Sequence, residues 1–449
     1  MNAIDIILAR MRQNDGAPAL FWRGKEFNYK EFFVLVDAWD ERLEKHGVVS
    51  GTVCGILGDY SPGLCSLIFA LMKAKAIIVP FSFAATAEMA SFMDIAGVQC
   101  LFRFGSMDER NFVSFSNIPQ NDLIASFKES AGPGLVVFTS GSTGKPKGIL
   151  HDCERVVRKF VVEREKRRTI LFLMVDHFGG FNTFLSAFAY GGVGICVPDR
   201  KPESVCRTIA QARADLLPTT PTFLNLMVAS GSYRDFDLSS VKLITYGTEV
   251  MSDTTLQKVK AIFPNAQLKQ TYGLSELGVL RSKSQADDSL WVKIGGEGFE
   301  TKVVENVLWI RSESNMVGYL NAPFPFDKDG WMCTGDLVDV DGDHVKIIGR
   351  KSDVINVGGQ KVFPVEVEAV LLAADNIREA TVYGDSHPLM GQVVKAKVSL
   401  IEPEDSLALA ERMRSHCLAR LAKYKIPVRF TIVSEEEQRN VRFKKIRGG

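Results

Sequence analysis

The residue pattern predicts an α/β fold up to about residue 290, then a hairpin-rich stretch, then an α+β module. Three observations carry this: an alternation of short β-branched runs with longer amphipathic ones, a change of texture near 290, and a second change near 350. In chain order, TVCGILG (52–58), AIIVPFSF (76–83), GLVVFTS (134–140), RTILFLMV (168–175), GVGICVP (192–198), VKLITYG (241–247) and AQLKQTYG (266–273) are too short and too β-branched for helices and are predicted as strands. Between them CSLIFALMKAKA (65–76), PESVCRTIAQARA (202–214) and DTTLQKVKAIF (253–263) space their apolar residues for one helical face, so the sheets are predicted to be largely parallel. After about 290, VKIGG, ENVLWIRS and DLVDVDGDHVKIIG predict hairpins. From about 350, VEVEAVLLAA, EATVYGD, VVKAKVSLI and the charged helix LALAERMRSHCLARLAK form a module of their own.

Composition is that of a soluble enzyme, with 46% hydrophobic and 24% charged residues in 449. With 54 basic and 53 acidic side chains the net charge is +1, so no overall field favours nucleic acid or an anionic membrane. The first residues, MNAIDIILARMRQNDG, are too polar for a secretion signal, and no uncharged stretch is long enough to span a bilayer. Eight cysteines without a C-x-x-C are read as reduced, buried thiols, which predicts a cytoplasmic location.

The most informative stretch is VVFTSGSTGKPKG (136–148), an apolar run followed by hydroxyls, glycines and lysines. Consecutive amides, hydroxyls and ammonium groups complement a polyphosphate. The phosphate-loop template G-x-x-x-x-G-K-[ST] fails, because it needs glycine at 139 and a hydroxyl at 146, where Thr139 and Pro146 stand. The dinucleotide pattern fails too, since Gly132-Pro133-Gly134 precedes the strand. The loop either binds phosphate by another scheme or is a flexible turn.

Its place in a series decides between these. TSGSTGKPKG (139–148) is followed by DHFGG (176–180), YGTE (246–249), QTYGLSE (270–276), CTGDL (333–337), GRKSDVINVGGQKVFPVEVE (349–368) and KKIR (444–447). This order and spacing resemble the adenylate-forming superfamily of acyl-CoA synthetases, luciferases and peptide synthetase adenylation domains, over nearly the whole chain, and acyl-CoA synthetases in particular. The resemblance implies an N-terminal domain, residues 1–349, of two β-α-β lobes and a distorted β-barrel, with a small mobile C-terminal domain at 350–449. It also implies a two-step reaction: a carboxylate and ATP give an acyl-adenylate and pyrophosphate, then a thiol displaces AMP. Such chemistry asks for positioning and charge neutralisation, so no Ser-His-Asp constellation is sought.

By the same resemblance Thr139, Ser140, Ser142, Thr143 and Lys147 would cradle the leaving phosphates, with Gly141 and Gly144 giving the backbone freedom. Glu276 would bind magnesium, and the hydroxyl of Ser275 would meet the α-phosphate. Tyr272 and Gly273 offer a face for adenine, with Tyr246, Gly247, Thr248 and Glu249 at its other edge. Asp336 would hold the ribose diol, supported by Arg350. His177 would gate the acyl tunnel, although a register slipped by one would place Asp176 there and suit an amino acid. Gly179 and Gly180 would leave room for an acyl chain, and Gly359 would line a pantetheine tunnel after rotation about Ser352.

The end of the chain departs from the family: Val441-Arg442-Phe443-Lys444-Lys445 lacks the usual glycine, and Lys445 is the aligned candidate for bridging carboxylate and α-phosphate, with Lys444 second. The expected activity is an ATP- and magnesium-dependent carboxylic acid–CoA ligase acting on an acyl or aryl acid, with fatty acid metabolism as its setting. The rivals are transfer to a carrier-protein phosphopantetheine, a luciferase-like oxygenase, and an inactive relative.

Overall fold

The computed structural model describes residues 2–116, 118–139, 146–296 and 298–438. Two seven-stranded sheets organise the first part of the chain. One carries parallel strands Val53–Leu57, Ile77–Phe81 and Cys100–Phe104, and beside them an antiparallel hairpin, β1 (Gly134–Thr139) and β2 (Lys147–Asp152). The other contains β3 (Arg168–Leu171), β4 (Leu216–Thr219), β5 (Leu243–Tyr246) and β6 (Gln267–Gln270) in parallel, with Val193–Cys196 on the far side of β3.

Helices fill the space between the sheets. Tyr29–Lys45, Pro62–Lys73 and α1 (Phe178–Ala189) share one core with both sheets, where Phe32 stacks on Phe188 at 5.1 Å between ring centroids and Phe69 meets Phe184 at 5.0 Å. Rings of this size each bury a large apolar area, so this shared layer binds the two lobes together. The predicted strands and helices all appear, several of them shortened. The hairpin Pro18–Trp22 and Lys25–Asn28 was not foreseen; its first strand pairs in parallel with Val193–Cys196, a partner far away in sequence.

The barrel expected next is an open, six-stranded antiparallel half-barrel, and it begins at Ser282 rather than near 290. Its long hairpin is β7 (Met332–Asp341) with β8 (His344–Arg350). From Ile355 a further sheet packs with helices Pro364–Leu372 and Ser406–Leu418 around a core drawn only from residues 355–430. Seven of the eight cysteines are buried as expected, but Cys333 is exposed; all eight are free thiols. Among the described residues no helix is long and apolar enough to cross a membrane.

Candidate active site

A cavity of about 1010 Å³ runs between the second sheet, α1 and the half-barrel. The β1–β2 hairpin delivers the stem of the phosphate-loop candidate: Thr139 and Lys147 face each other as a cross-strand pair, and both line the cavity. Ser140, Gly141, Ser142, Thr143 and Gly144, together with Lys444 and Lys445, lie outside the described residues.

Ser275 and Glu276 line the same cavity. Glu276 is tied to the hairpin through a residue that no motif singles out. Tyr319 sits on the two-residue strand Gly318–Tyr319, which pairs with β2, and its hydroxyl donates to Glu276 Oε1 at 2.6 Å. The Lys147 ammonium lies 5.0 Å from the centroid of the same ring, within cation–π range. Burial, then the Glu276 charge, push the Tyr319 phenol up, so it stays protonated and acts as a donor. No cluster of three or more His, Cys, Asp or Glu residues that could hold a metal exists among the described residues. A lone carboxylate facing a phosphate site fits a magnesium ion that keeps water and phosphate oxygens in its shell, not a cation caged by protein.

The β7–β8 hairpin sets Asp336 opposite Arg350, with Arg350 Nε 3.2 Å from Asp336 Oδ1. The Tyr272 hydroxyl donates to Asp336 Oδ2. Burial raises the Asp336 carboxyl, opposed by Arg350 and by the Tyr272 hydrogen bond. Tyr272 is 6% exposed and its phenol is raised by burial and by Asp336, so it is a tethered donor as well as an aromatic wall. Arg350, Tyr272 and Gly273 border both the large cavity and a second cleft of about 320 Å³, which Asp336 also lines.

The YGTE stretch divides. Tyr246 is 1% exposed and belongs to the core, which corrects its reading as an edge for adenine. Gly247 and Thr248 line the large cavity, and Thr248 holds φ = 70°, a strained value for a β-branched residue. Glu249 accepts from the backbone N–H and the hydroxyl of Thr222 in the first turn of the helix Pro221–Ser230, and it borders only the smaller cleft.

His177 is the N-cap residue of α1, where its carbonyl accepts from Phe181 N at 2.9 Å, and it lines the cavity. Asp176, the residue that a slipped register would put in its place, is 3% exposed and accepts from Ser82 Oγ at 2.6 Å, away from the cavity. Gly179 lines the cavity wall as expected. Gly180 lines it too and has a further reason to be small: a Cβ there would sit 1.8 Å from Met174 O, so the glycine lets the first turn of α1 close onto the loop before it.

Gly359 stands apart from the other candidates. It lies with Gly358 in the two-residue turn between Ile355–Val357 and Gln360–Val362, at φ = +84°, and borders neither cavity. Nothing stands within 4 Å of its Cβ position, so backbone conformation alone accounts for glycine in this arrangement.

The family model described as AMP-binding enzyme matches residues 8–320, and the one described as AMP-binding enzyme C-terminal domain matches residues 366–444. The chain belongs to the AMP-binding enzyme family. This AMP-binding enzyme is 25% identical to an indoleacetate–CoA ligase of Aromatoleum aromaticum, over 94% of its own length and 92% of the relative's. It is also 25% identical to a 2-succinylbenzoate–CoA ligase of Listeria monocytogenes, over 95% and 94%. In fold it matches an anthranilate CoA ligase bound to anthranoyl-AMP, with a TM-score of 0.82 at 20% identity, covering 99% of this chain and 95% of that one. An o-succinylbenzoate CoA synthetase of Bacillus subtilis in complex with its acyl-adenylate gives 0.79 at 21% identity, over 98% and 96%.

Proposed function

We propose that this AMP-binding enzyme is an ATP-dependent carboxylic acid–CoA ligase that works through an acyl-adenylate. The observation that carries the reading is convergence: the stem of the phosphate loop, the Ser275–Glu276 turn and Arg350, held by Asp336 on the facing strand, reach one cavity from three separate sheets, and Asp336 itself lines the adjoining cleft. A carboxylate oxygen of the acid attacks the α-phosphorus of ATP and pyrophosphate leaves; the sulfur of CoA then attacks the acyl carbon and AMP leaves. Thr139 and Lys147 hold the leaving phosphates, Asp336 and Arg350 orient the ribose, and Tyr272 walls the adenine. Glu276 holds magnesium, which supplies charge neutralisation at the phosphates. His177 gates the acid, and Lys445 bridges the carboxylate and α-phosphate oxygens. The chain divides at 349/350 into two domains, with Ser352 as the hinge, and the enzyme works in the cytoplasm. Ser352 is exposed, with its hydroxyl donating to Asp353 Oδ1 at 2.9 Å.

Pyrophosphate release measured with ATP and a panel of acids, with and without CoA, tests the reading. Acid-dependent release followed by CoA thioester is the expected result. Thioester on a phosphopantetheinylated carrier alone would move the acceptor, acid-dependent light or oxygen uptake would favour the oxygenase, and no acid-dependent release would reject the activity. Glu276→Gln is expected to reduce release by roughly a hundredfold through loss of the ligand charge; wild-type release at limiting magnesium would reject its role.

A further inference from the structure

The large cavity continues well past the phosphate-facing end. Strand parity determines what lines it: Ile170, Leu217, Ile244 and Leu268 on β3–β6 enter the core on the outer face of the sheet, and Thr169, Pro218, Thr245 and Lys269 face the cavity. Lys269 is level with Thr245 and Pro218 across the sheet, about two residues or roughly 7 Å from the Thr271–Gly247 end. The opposite wall is a polar stripe on α1, with Asn182 and Ser186 one turn apart, followed by Tyr190. Asn182 Oδ1 and Thr219 Oγ1 are buried there with no hydrogen-bond partner among the described residues.

Lys159 and Arg164 line the same cavity as Lys269, and Arg164 is near enough to both lysines to act on their charges. Among the described residues none of the three has a carboxylate partner; Lys159 Nζ donates only to Val279 O, at 3.2 Å. Of the carboxylates on the wall, Glu165 pairs with Arg167, Glu276 accepts from Tyr319, and Glu313 follows the half-barrel strand Val307–Ser312. Burial first, then Arg164, brings the Lys159 ammonium down to about 7, and the same two causes lower Lys269. Like charges are thus gathered in a half-buried space, and an entering anion would relieve them. A plain fatty chain would leave them desolvated against methylenes.

We propose that the acid activated here carries a second anionic group, held at the far end of the cavity by Lys159, Arg164 and Lys269. The proposal rests on the ligase reading for its first carboxylate. The preferred substrates are therefore dicarboxylic acids, or aryl acids with a second carboxylate, short enough to fit between the gate at His177 and this cluster.

The test uses the full chain and matched probes: straight-chain diacids of about four to eight carbons, a benzene dicarboxylate, and the methyl-ended or unsubstituted monoacid of each. Binding is measured by calorimetry with AMP present, and turnover by pyrophosphate release. At least one diacid is expected to bind and to exceed its monoacid at least tenfold in kcat/KM, with that ratio falling about tenfold in Lys269→Met and in Arg164→Gln and the KM for CoA unmoved. Arg164 is exposed, so its variant keeps the question answerable should the Lys269 variant misfold. Equal or better use of monoacids, no diacid binding, or an effect on the KM for CoA alone would overturn the proposal. Diacid binding that both variants weaken, without pyrophosphate release from any acid, would support the anion site and reject the ligase reading instead.

Discussion

His151 lies under the Ser275–Glu276 turn, 1% exposed, its ring 4.6 Å from that of Phe178, with neither ring nitrogen hydrogen-bonded among the described residues. Burial brings it from 6.5 down to about 3, opposed only by the nearby Ser275 backbone. The unfolded chain therefore binds a proton that the folded chain refuses between these two values. The neutral ring's contribution is present above 6.5 and is lost as pH falls toward 3, at up to about 1.4 kcal/mol per pH unit. Thermal melts from pH 7 to pH 4 should show a steeper decline for the wild type than for His151→Leu; parallel curves would contradict the assignment. This residue gave no signal in the sequence, and neither did Tyr319, 43 positions beyond the glutamate it contacts. The motif series picked out Lys147 and Glu276, which line one cavity, and Asp336, which lines the adjoining cleft. The side chains that orient them were not, because their pairing depends on strands brought together from distant parts of the chain.

At the scale of elements, the β7–β8 hairpin acts as a clamp whose two strands each contribute one member of the Asp336–Arg350 pair. Arg350 lowers the carboxyl that burial raises, so Arg350→Met should move the acid limb of kcat/KM for ATP to higher pH. It should also cost about tenfold at the plateau, the scale of one charge-assisted hydrogen bond. A uniform loss at every pH would assign Arg350 to substrate contact alone. Short β-branched parallel strands and amphipathic helices were readable from period and composition. The Pro18–Asn28 hairpin and the two-residue strand at Gly318–Tyr319 were not, since neither run has a local pattern and both are stabilised by partners elsewhere in their sheets.

Over the whole molecule, the module beyond Ile355 keeps its own core and meets the larger part across the second cleft, where Asn225 Nδ2 donates to Arg378 O at 2.8 Å. If the present arrangement is the adenylating one, as the distance of Gly359 from both cavities favours, this bond holds the module for the first step only. Asn225→Ala should then slow acid-dependent pyrophosphate release by about fivefold, roughly 1 kcal/mol, and leave thioester formation from supplied acyl-adenylate intact. Equal loss in both steps would place the bond in both arrangements. The division into an α/β body and a terminal α+β module was legible as a change of texture. The angle between them was not, because few side chains span the cleft and none of them forms a sequence pattern.

The exposed thiol of Cys333 has a practical consequence. With the other seven sulfurs enclosed, a maleimide dye added to the folded enzyme should couple at a stoichiometry of one, on the strand that also carries Asp336 and directly opposite Trp309. The indole could quench such a dye, so nucleotide arrival at the clamp would be readable as a change in emission from an otherwise native chain. The same thiol, stored in air without reductant, would join two molecules by an intermolecular disulfide with dissolved oxygen as the oxidant, and a dimer seen on a gel would then reflect storage conditions and not assembly.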